Sequence, residues 1–394
     1  MRKLDSLGFE ESLELILEKI EPKKETKKIF ISQAIGKILA QDIKAKRDLP
    51  LFTNSAMDGY AFKYNEKCKK YKVVKTIFAG DIVEGSLNEC ECYKIMTGAM
   101  VPKDADTVVP FEKVKEVGEF IEFEEKKGAN VRLKGEEVKK GEVLLEKGRK
   151  LNFADIAMLS SQGIVNVSVY RDLKIGVVVS GNELKEPWEE VGEFELFNAN
   201  GMGIVSLLKE KGFEADYLGV LPDSLEESIK FFENIKGYDV LITSGGISQG
   251  EADFILDALE ENGFEKYIHG ILVKPGRATL VGKLKDTLIL GMPGNPLSAL
   301  IQLLSLGIPV LEKLRGNKNY NFTFIEIENK IPFKLNSKKD HTILGRVEKD
   351  GFYVIDNYKY GSGMLMPFIK ANAFAIVKKG KSFIESEKLK VALF

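Results

Sequence analysis

Histidine is nearly missing from this chain. His269 and His341 are the two present, and neither lies beside a serine, a cysteine or a metal-type cluster. A nucleophile activated by an imidazole base is therefore not the chemistry this sequence supports. Cysteine is almost as scarce, with Cys68, Cys90 and Cys92. Three thiols do not make a disulfide framework. Cys90 and Cys92 are expected to share one face of a strand, but two thiolates fall short of a zinc site. An excess of charge of one sign is missing too. Lys+Arg 58 against Asp+Glu 59 leave a net charge of −1, so no global positive field draws in nucleic acid or an anionic membrane. Any anion site has to be built locally. Nor is there a long unbroken hydrophobic run. The most apolar stretch, Leu297 to Leu311, is interrupted by Gln302, Gly307 and Pro309 and reads as too short to span a bilayer. The opening MRKLDSLGFEES carries acids where a signal peptide needs an apolar core, which makes the cytoplasm the expected location.

What is present is ordinary globular text in several blocks. The 394 residues are enough for roughly two to four domains, each with its own core. Phe9, Leu13, Ile16, Leu17 and Ile20 recur at helical spacing, and Pro22 marks the stop. Ile29 to Leu39 reads as a second short ordered piece. DLPLFTNSAMDGYAF, Asp48 to Phe62, is a loop punctuated by Pro50 and Gly59, with small residues around Asp58. It reads either as a loop carrying an exposed carboxylate or as an ordinary Asp-Gly turn. From Tyr71 to Val138 short alternating runs and frequent glycines indicate a small β domain, and MTGAMVP puts Thr97 and Gly98 in a turn after a strand. The charged, turn-rich GANVRLKGEEVKKGEVLLEKG leads back out. A helix around Asp155 to Leu159, a break at Gly163 and a strand at Val165–Val169 follow.

The centre of the chain is α/β. Strands are expected at Lys174–Val179, Asp216–Val220, Val240–Thr243, Ile268–Val273 and Thr287–Leu290, with helices at Gly203–Lys211, Ser224–Lys236 and Phe254–Asn262. Alternation of this kind implies right-handed crossovers and a parallel sheet. The most informative stretch is DVLITSGGISQGEADF, Asp239 to Phe254: an apolar run, paired glycines, then Glu251 and Asp253 before a helix. Glycines there permit positive φ and bare backbone amides, and a helix N-terminus at a strand's carboxyl end attracts phosphate. Each expected strand end carries such punctuation, in Ser180-Gly181-Asn182-Glu183, Pro222-Asp223, Lys274-Pro275-Gly276-Arg277 and Gly291 to Pro296. Glu183, Asp223 and Asp253 are therefore expected on one rim, joined by Lys274, Arg277 and backbone amides. Carboxylates beside cations and glycine turns suit a phosphorylated ligand held with Mg²⁺. Short strands return from Asn321 onward, as a final small β domain.

NSAMDGYA, Asn54 to Ala61, resembles the molybdopterin molybdenumtransferase family, which includes MoeA and the gephyrin E domain. The resemblance continues through MTGAMVP, Asn130-Val131-Arg132 with Gly135-Glu136-Glu137, Ser180 to Leu184 and Asn198-Ala199-Asn200. SGGISQGEADF, Lys274 to Arg277, Pro293-Gly294-Asn295-Pro296 and ANAF at Ala371 to Phe374 follow in the family's order. It implies an α/β multidomain fold: a central parallel α/β sandwich of the MogA type, flanked by small β-rich domains and an N-terminal helical segment. The expected boundaries are 1–46 with 139–170 for a discontinuous linking and dimerisation domain, and 47–138 for a β-rich domain. The MogA-like domain is 171–318 and the last β domain 319–394. The sequence departs mildly from the family at Ala278 (often Pro), Ser180 and Ser244 (often Thr) and Glu137 (often Asp).

The resemblance implies a Mg²⁺-assisted enzyme that inserts molybdate into adenylylated molybdopterin and releases AMP. It implies an elongated homodimer whose active site joins the α/β domain to the partner's β domain. It also implies contact with a MogA-type adenylyltransferase and with molybdoenzymes. Asp58, Asp223 and Asp253 are expected to position the metal, Glu183 to do likewise or hold the nucleotide, and Thr97 to contact substrate. Lys274, Arg277 and Ser298 are expected in the molybdate pocket. Gly245, Gly246, Ser248, Pro293, Asn295 and Pro296 complete the substrate-binding set. Three readings compete with this one: a molybdopterin adenylyltransferase, a nucleotide or pyrophosphate hydrolase, and a non-catalytic pterin-binding scaffold.

Overall fold

A computed structural model describes residues 4–82, 86–248 and 254–394. The chain parts into two compact units: residues 1–40, 148–152 and 167–394 form one, and residues 41–147 with 153–166 the other. The segments expected to make one discontinuous domain, 1–46 and 139–170, are thus shared between the two.

In the larger unit the α/β layers are built from α1 (Phe9–Glu18), β1 (Ile175–Ser180), α2 (Ala199–Glu210), β2 (Ala215–Leu221), α3 (Leu225–Asn234), β3 (Val240–Ser244), α4 (Phe254–Glu261), β4 (Glu265–His269), β5 (Leu280–Leu284), β6 (Thr287–Met292) and α5 (Pro296–Gln302). The six-stranded sheet runs β2-β1-β3-β6-β5-β4. Strands β2, β1, β3 and β6 are mutually parallel; at one edge β5 pairs antiparallel with β6 and β4 pairs antiparallel with β5. The continuous apolar runs follow from burial on both faces. Ile175, Val177, Val240, Ile242, Leu288 and Leu290 pack on one side with Ile204 and Leu208 of α2 and the helix that follows β6. The alternate residues Val178, Leu241 and Ile289 pack on the other side with Phe232 of α3 and Ile255 and Leu259 of α4. The period of two sends successive side chains into opposite layers.

Two expectations are corrected here. Ile268–Val273 is not a parallel strand of this sheet. Its first residues, Ile268 and His269, end β4, which pairs antiparallel with β5, and the chain turns at Gly270 (φ +88°); Val273–Lys274 then pairs with Asp340–Glu348 at the edge of the C-terminal sheet. The hairpin β5–β6 turns on Lys285 at φ +55° without a glycine, so β5 left no turn signal in the sequence. The second correction concerns Leu297–Leu311. Pro296 to Leu314 is one continuous 19-residue helix, and 89% of its most apolar window is buried. A π-helical stretch at Leu303–Gly307 precedes Pro309 and absorbs the missing N–H that should have broken the helix. This helix is long and apolar enough to cross a membrane, but its burial makes it the core helix of this unit.

The C-terminal sheet is ordered Val273–Lys274, Asp340–Glu348, Ala373–Val377, Lys388–Leu393, Ile325–Glu328. Both histidines are structural. His269 Nε2 lies 2.9 Å from the Ile247 carbonyl oxygen, and buried His341 lies between Tyr358 Oη (2.8 Å) and the Asn336 carbonyl (2.9 Å). Burial pushes the His341 pKa down.

The smaller unit holds a second six-stranded sheet. Its order is Thr107–Pro110, Gly59–Phe62, Glu91–Ile95, Tyr71–Ile77, Phe120–Glu122, Lys115–Val117. Ala61, Tyr93, Ile95 and Val108 pack on one face, and Tyr60, Phe62, Val109 and Ile121 on the other. The cysteine expectation fails here. Cys90 sits before its strand at φ +59° and is disulfide-bonded to Cys68, so it does not share a strand face with Cys92. Cys92 is fully buried, and burial pushes its thiol up to about 12.

At the opposite end of the α/β sheet from its glycine turns, Arg171 grips Asp239 with two hydrogen bonds, 2.9 and 3.0 Å. The Lys174 amide adds a third at 2.8 Å. Burial alone would raise the Asp239 pKa, but these donors hold it below the usual carboxylate range. Replacing Arg171 by leucine leaves that carboxylate with a lost partner. The expected loss of stability at pH 7 is about 3 kcal/mol. Because the folded-state pKa is depressed, the stabilisation is present above about pH 4 and is lost as pH falls through the folded value. Urea midpoints of the two proteins at pH 7 and pH 3 measure this, and the gap should narrow in acid.

Candidate active site

The carboxyl ends of β1, β3 and β6 open onto a cavity of about 500 Å³. Its floor is the turn after β3. Gly245 has φ +93°, and a Cβ there would sit 2.5 Å from the Ser180 carbonyl oxygen. Gly246 has φ +65° and lies against Ile255 of α4, whose amide donates to the Gly246 carbonyl at 3.0 Å. Only glycine meets both demands at Gly245: left-handed backbone and contact with a neighbouring chain.

Asp223 stands on the rim after β2. Ser180 Oγ donates to its Oδ1 at 2.8 Å and the Asn182 amide to its Oδ2 at 3.2 Å, while its own amide donates to Asn182 Oδ1 at 2.9 Å. Glu183 lines the same cavity. On the far wall, Asn200 in the first turn of α2 donates to Ser244 Oγ (2.9 Å) and to the Gly294 carbonyl (2.7 Å). Ser244 Oγ passes the chain on to the Pro293 carbonyl at 3.0 Å. One side chain thus ties the ends of β3 and β6 to α2. Asn198 caps α2 by accepting from the Gly201 amide at 3.0 Å, and Asn295 precedes Pro296 at the start of the long core helix. Two helix N-termini therefore face the cavity, each carrying roughly half a positive charge.

The structure brings together Glu183, Asp223, Gly245, Gly246, Ser248, Pro293, Asn295 and Pro296 around this cavity. Asp253 and Glu251 lie outside the described residues. Lys274 and Arg277 are exposed and do not line the cavity; Ala278 of the same turn does. Lys274 lies on the neighbouring sheet's edge strand, with its ammonium 5.8 Å from the centre of the Tyr358 ring. Ser298 is buried in the first turn of α5. No lysine, arginine or histidine lines the cavity among the described residues, so its affinity for anions rests on amides and helix ends. Asn200 was missed as a site residue. Its partners are 44 and 94 positions away, although Asn198 carried a readable N-cap signal before a helix.

Asp58 and Thr97 belong to the smaller unit. Gly59–Phe62 pairs antiparallel with Glu91–Ile95, with Gly59 opposite Ile95, so the residues just beyond that pair meet. Asp58 Oδ1 accepts from the Thr97 amide (2.6 Å) and hydroxyl (2.7 Å). Gly59 is a strand residue packed on the Val109 carbonyl rather than a left-handed turn glycine, which rules out the ordinary Asp-Gly turn. The amide bond, then the hydroxyl bond, lower the pKa of the fully exposed Asp58.

A hard, oxygen-loving cation is the metal this chemistry would suit. No cluster of three or more acidic, histidine or cysteine ligands occurs among the described residues. Mg²⁺ commonly takes one or two carboxylates and completes its shell with phosphate oxygens and water, so the donor pair Glu183 and Asp223 fits it.

Fold and cavity together define an α/β protein with a cavity at its parallel strand ends, lined by a glycine turn and helix starts of the kind that suit phosphate. Comparison with known sequences is specific. Residues 7–163 match the MoeA N-terminal region (domain I and II), 176–313 the probable molybdopterin binding domain and 326–394 the MoeA C-terminal region (domain IV). The chain is 33% identical to the molybdopterin molybdenumtransferase of Haemophilus influenzae, covering 96% of each chain. It is 30% identical to that of a Nostoc species, over 95% of this chain and 89% of the relative. The crystal structure of the molybdopterin biosynthesis MoeA protein from Pyrococcus horikoshii superposes with a TM-score of 0.84 at 28% identity, covering 99% and 100% of the two chains. The chain belongs to the MoeA family.

Replacing Thr97 by valine removes the hydroxyl and keeps the amide. The Asp58 carboxyl pKa should rise yet stay below its ordinary value, as followed by carbon-13 NMR titration. An unchanged pKa would show that the hydroxyl bond is not made in solution.

Proposed function

We propose that this protein is a molybdopterin molybdenumtransferase that inserts molybdate into adenylylated molybdopterin and releases AMP. The observation that carries the reading is the ordered match of all three MoeA regions, with the strand-end cavity falling inside the molybdopterin-binding region. An adenylyltransferase of the MogA type would leave the flanking regions unexplained.

The chain's own residues suit the reaction. Phosphate oxygens of the ligand are received by the Gly245–Gly246 turn and the N-termini of α2 and the long core helix, where backbone amides are already oriented. Glu183 and Asp223 are the residues that would hold Mg²⁺, which would neutralise charge developing on the phosphate oxygens. Asp223 is oriented by hydrogen bonds from Ser180 and Asn182. Asp253, Lys274, Arg277 and Ser298 remain part of the proposed substrate and metal set on the strength of the family motifs alone. Thr97 holds Asp58 as a carboxylate, ready to accept a hydrogen bond from a ligand.

The reading includes a homodimer, a MogA-type donor of substrate, molybdoenzymes as recipients and a cytoplasmic location. The cytosol keeps most thiols reduced, so that location and the Cys68–Cys90 disulfide pull in opposite directions.

AMP release from adenylylated molybdopterin, with and without molybdate and Mg²⁺, tests the function directly. Turnover should require both. Asp223→Asn keeps the shape of the rim and should lower the rate at least about a hundredfold, the size of effect seen when one preorganised electrostatic group is lost. Wild-type turnover in a stably folded variant would remove Asp223 from the mechanism. Static light scattering should give twice the 44.0 kDa chain mass. A fully active species of single-chain mass would end the dimer proposal.

A further inference from the structure

Between the Ser180 rim and α2 the chain makes a strap. Leu184–Lys185 and Leu196–Phe197 lie side by side as a short parallel pair. The Leu196 amide donates to the Glu183 carbonyl at 2.8 Å and the Asn198 amide to the Lys185 carbonyl at 2.7 Å. A side-chain chain anchors the strap to the sheet: Tyr217 Oη donates to Glu186, and Asn198 Nδ2 donates to Tyr217 Oη at 2.7 Å. The strap is therefore held by polar contacts and not by burying its apolar residues. Trp188, Phe194, Leu196 and Phe197 remain 70%, 87%, 62% and 55% exposed. Isolated exposed apolar side chains need no explanation, but a cluster of large ones beside a cavity does.

Phe197 differs from Trp188 and Phe194 because it lines the cavity, with Leu196 next to it. It is the one aromatic ring among the described lining residues. Charge decides what could cover it. The strap segment carries Glu183, Glu186, Glu189, Glu190, Glu193 and Glu195 against Lys185. An anionic membrane or a nucleic acid is repelled from this segment, and a bare phosphate without its cation is repelled from Glu183, the one strap acid in the described lining. The glycine turn after β3 and the start of the long core helix, which bring no acidic side chain to the described lining, attract phosphate. A ligand with a phosphate at one end and a neutral planar ring at the other is thereby oriented.

We propose that Phe197 is the stacking wall for a neutral heteroaromatic ring of the ligand, with Leu196 completing its apolar surface. This rests on the functional reading above, whose substrate carries two such rings, a pterin and an adenine. Stacking of a base on an aromatic side chain is sequence-tolerant and substantial in size, because every such ring presents a π-face.

Calorimetric titration with AMP, 6-hydroxymethylpterin and ribose 5-phosphate tests it on the wild type, Phe197→Ala, Phe197→Tyr and Trp188→Ala. Phe197→Ala should weaken at least one ring-bearing probe about tenfold. Loss for AMP assigns the adenine to this wall, and loss for the pterin assigns the pterin. Phe197→Tyr should bind within about twofold of wild type, because the ring is kept. Ribose 5-phosphate, which has no ring, should bind equally to all four proteins. Trp188→Ala should change nothing, since Trp188 lies outside the cavity. Unchanged affinities in Phe197→Ala overturn the proposal while leaving the function standing. Equal weakening of ribose 5-phosphate, or equal loss in Trp188→Ala, overturns it by showing that the strap's fold and not stacking is responsible. A wild type that binds neither AMP nor the pterin sinks the proposal together with the functional reading.

Discussion

The contact between Gly245 and the Ser180 carbonyl governs the rest of the larger unit. No side chain fits in that gap, and the backbone at Gly245 and Gly246 is left-handed. With Cβ atoms absent, the end of β3 folds directly against the end of β1, and the first turn of α4 hydrogen-bonds back to Gly246. The cavity exists because the chain can turn within that space. Asn200 then fastens the third strand end, since its amide reaches both Ser244 and the Gly294 carbonyl. The buried Asn200 Oδ1 has no partner among the described residues, which leaves an acceptor inside the wall for a water or a ligand donor.

The electrostatics of the cavity invert a simple expectation. A dianionic or phosphorylated ligand usually suggests arginines and lysines, yet the described lining has none. Attraction comes from aligned peptide dipoles at two helix starts, and the rim itself carries carboxylates. Such a site repels a bare anion at the rim and suits an anion that arrives with a divalent cation. Under the proposed function Asp223 and Glu183 would hold that cation. In the smaller unit the same economy appears, since Thr97 supplies two neutral donors that lower the Asp58 pKa.

Much of the fold was legible because its determinants are local. The apolar runs of β1, β2, β3 and β6, the helical spacing in α1, α3 and α4, and the paired glycines after β3 are all written within a few residues of one another. Burial on both faces requires apolar runs, and a left-handed turn requires glycine. Asp58 and Thr97 stood out as loop residues in the sequence, though nothing local indicated that they would meet.

The features that escaped depend on partners distant along the chain. Whether Val273–Lys274 extended the α/β sheet or joined another was decided by Asp340 and His341, 67 residues downstream of each. Pro309 continues a helix because the turn before it widens, an adjustment available only where surrounding layers bury the helix. Cys68 and Cys90 are bonded because the fold of the smaller unit brings them together, and no spacing rule selects them over Cys92. The sequence by itself determined which residues could turn, bury or carry charge, since those properties belong to single side chains and their neighbours. The tertiary structure alone decided which strand ends share a cavity and that Lys274 and Arg277 stay off its wall. Those outcomes depend on how sheets and helices close-pack, and packing is a property of the whole chain.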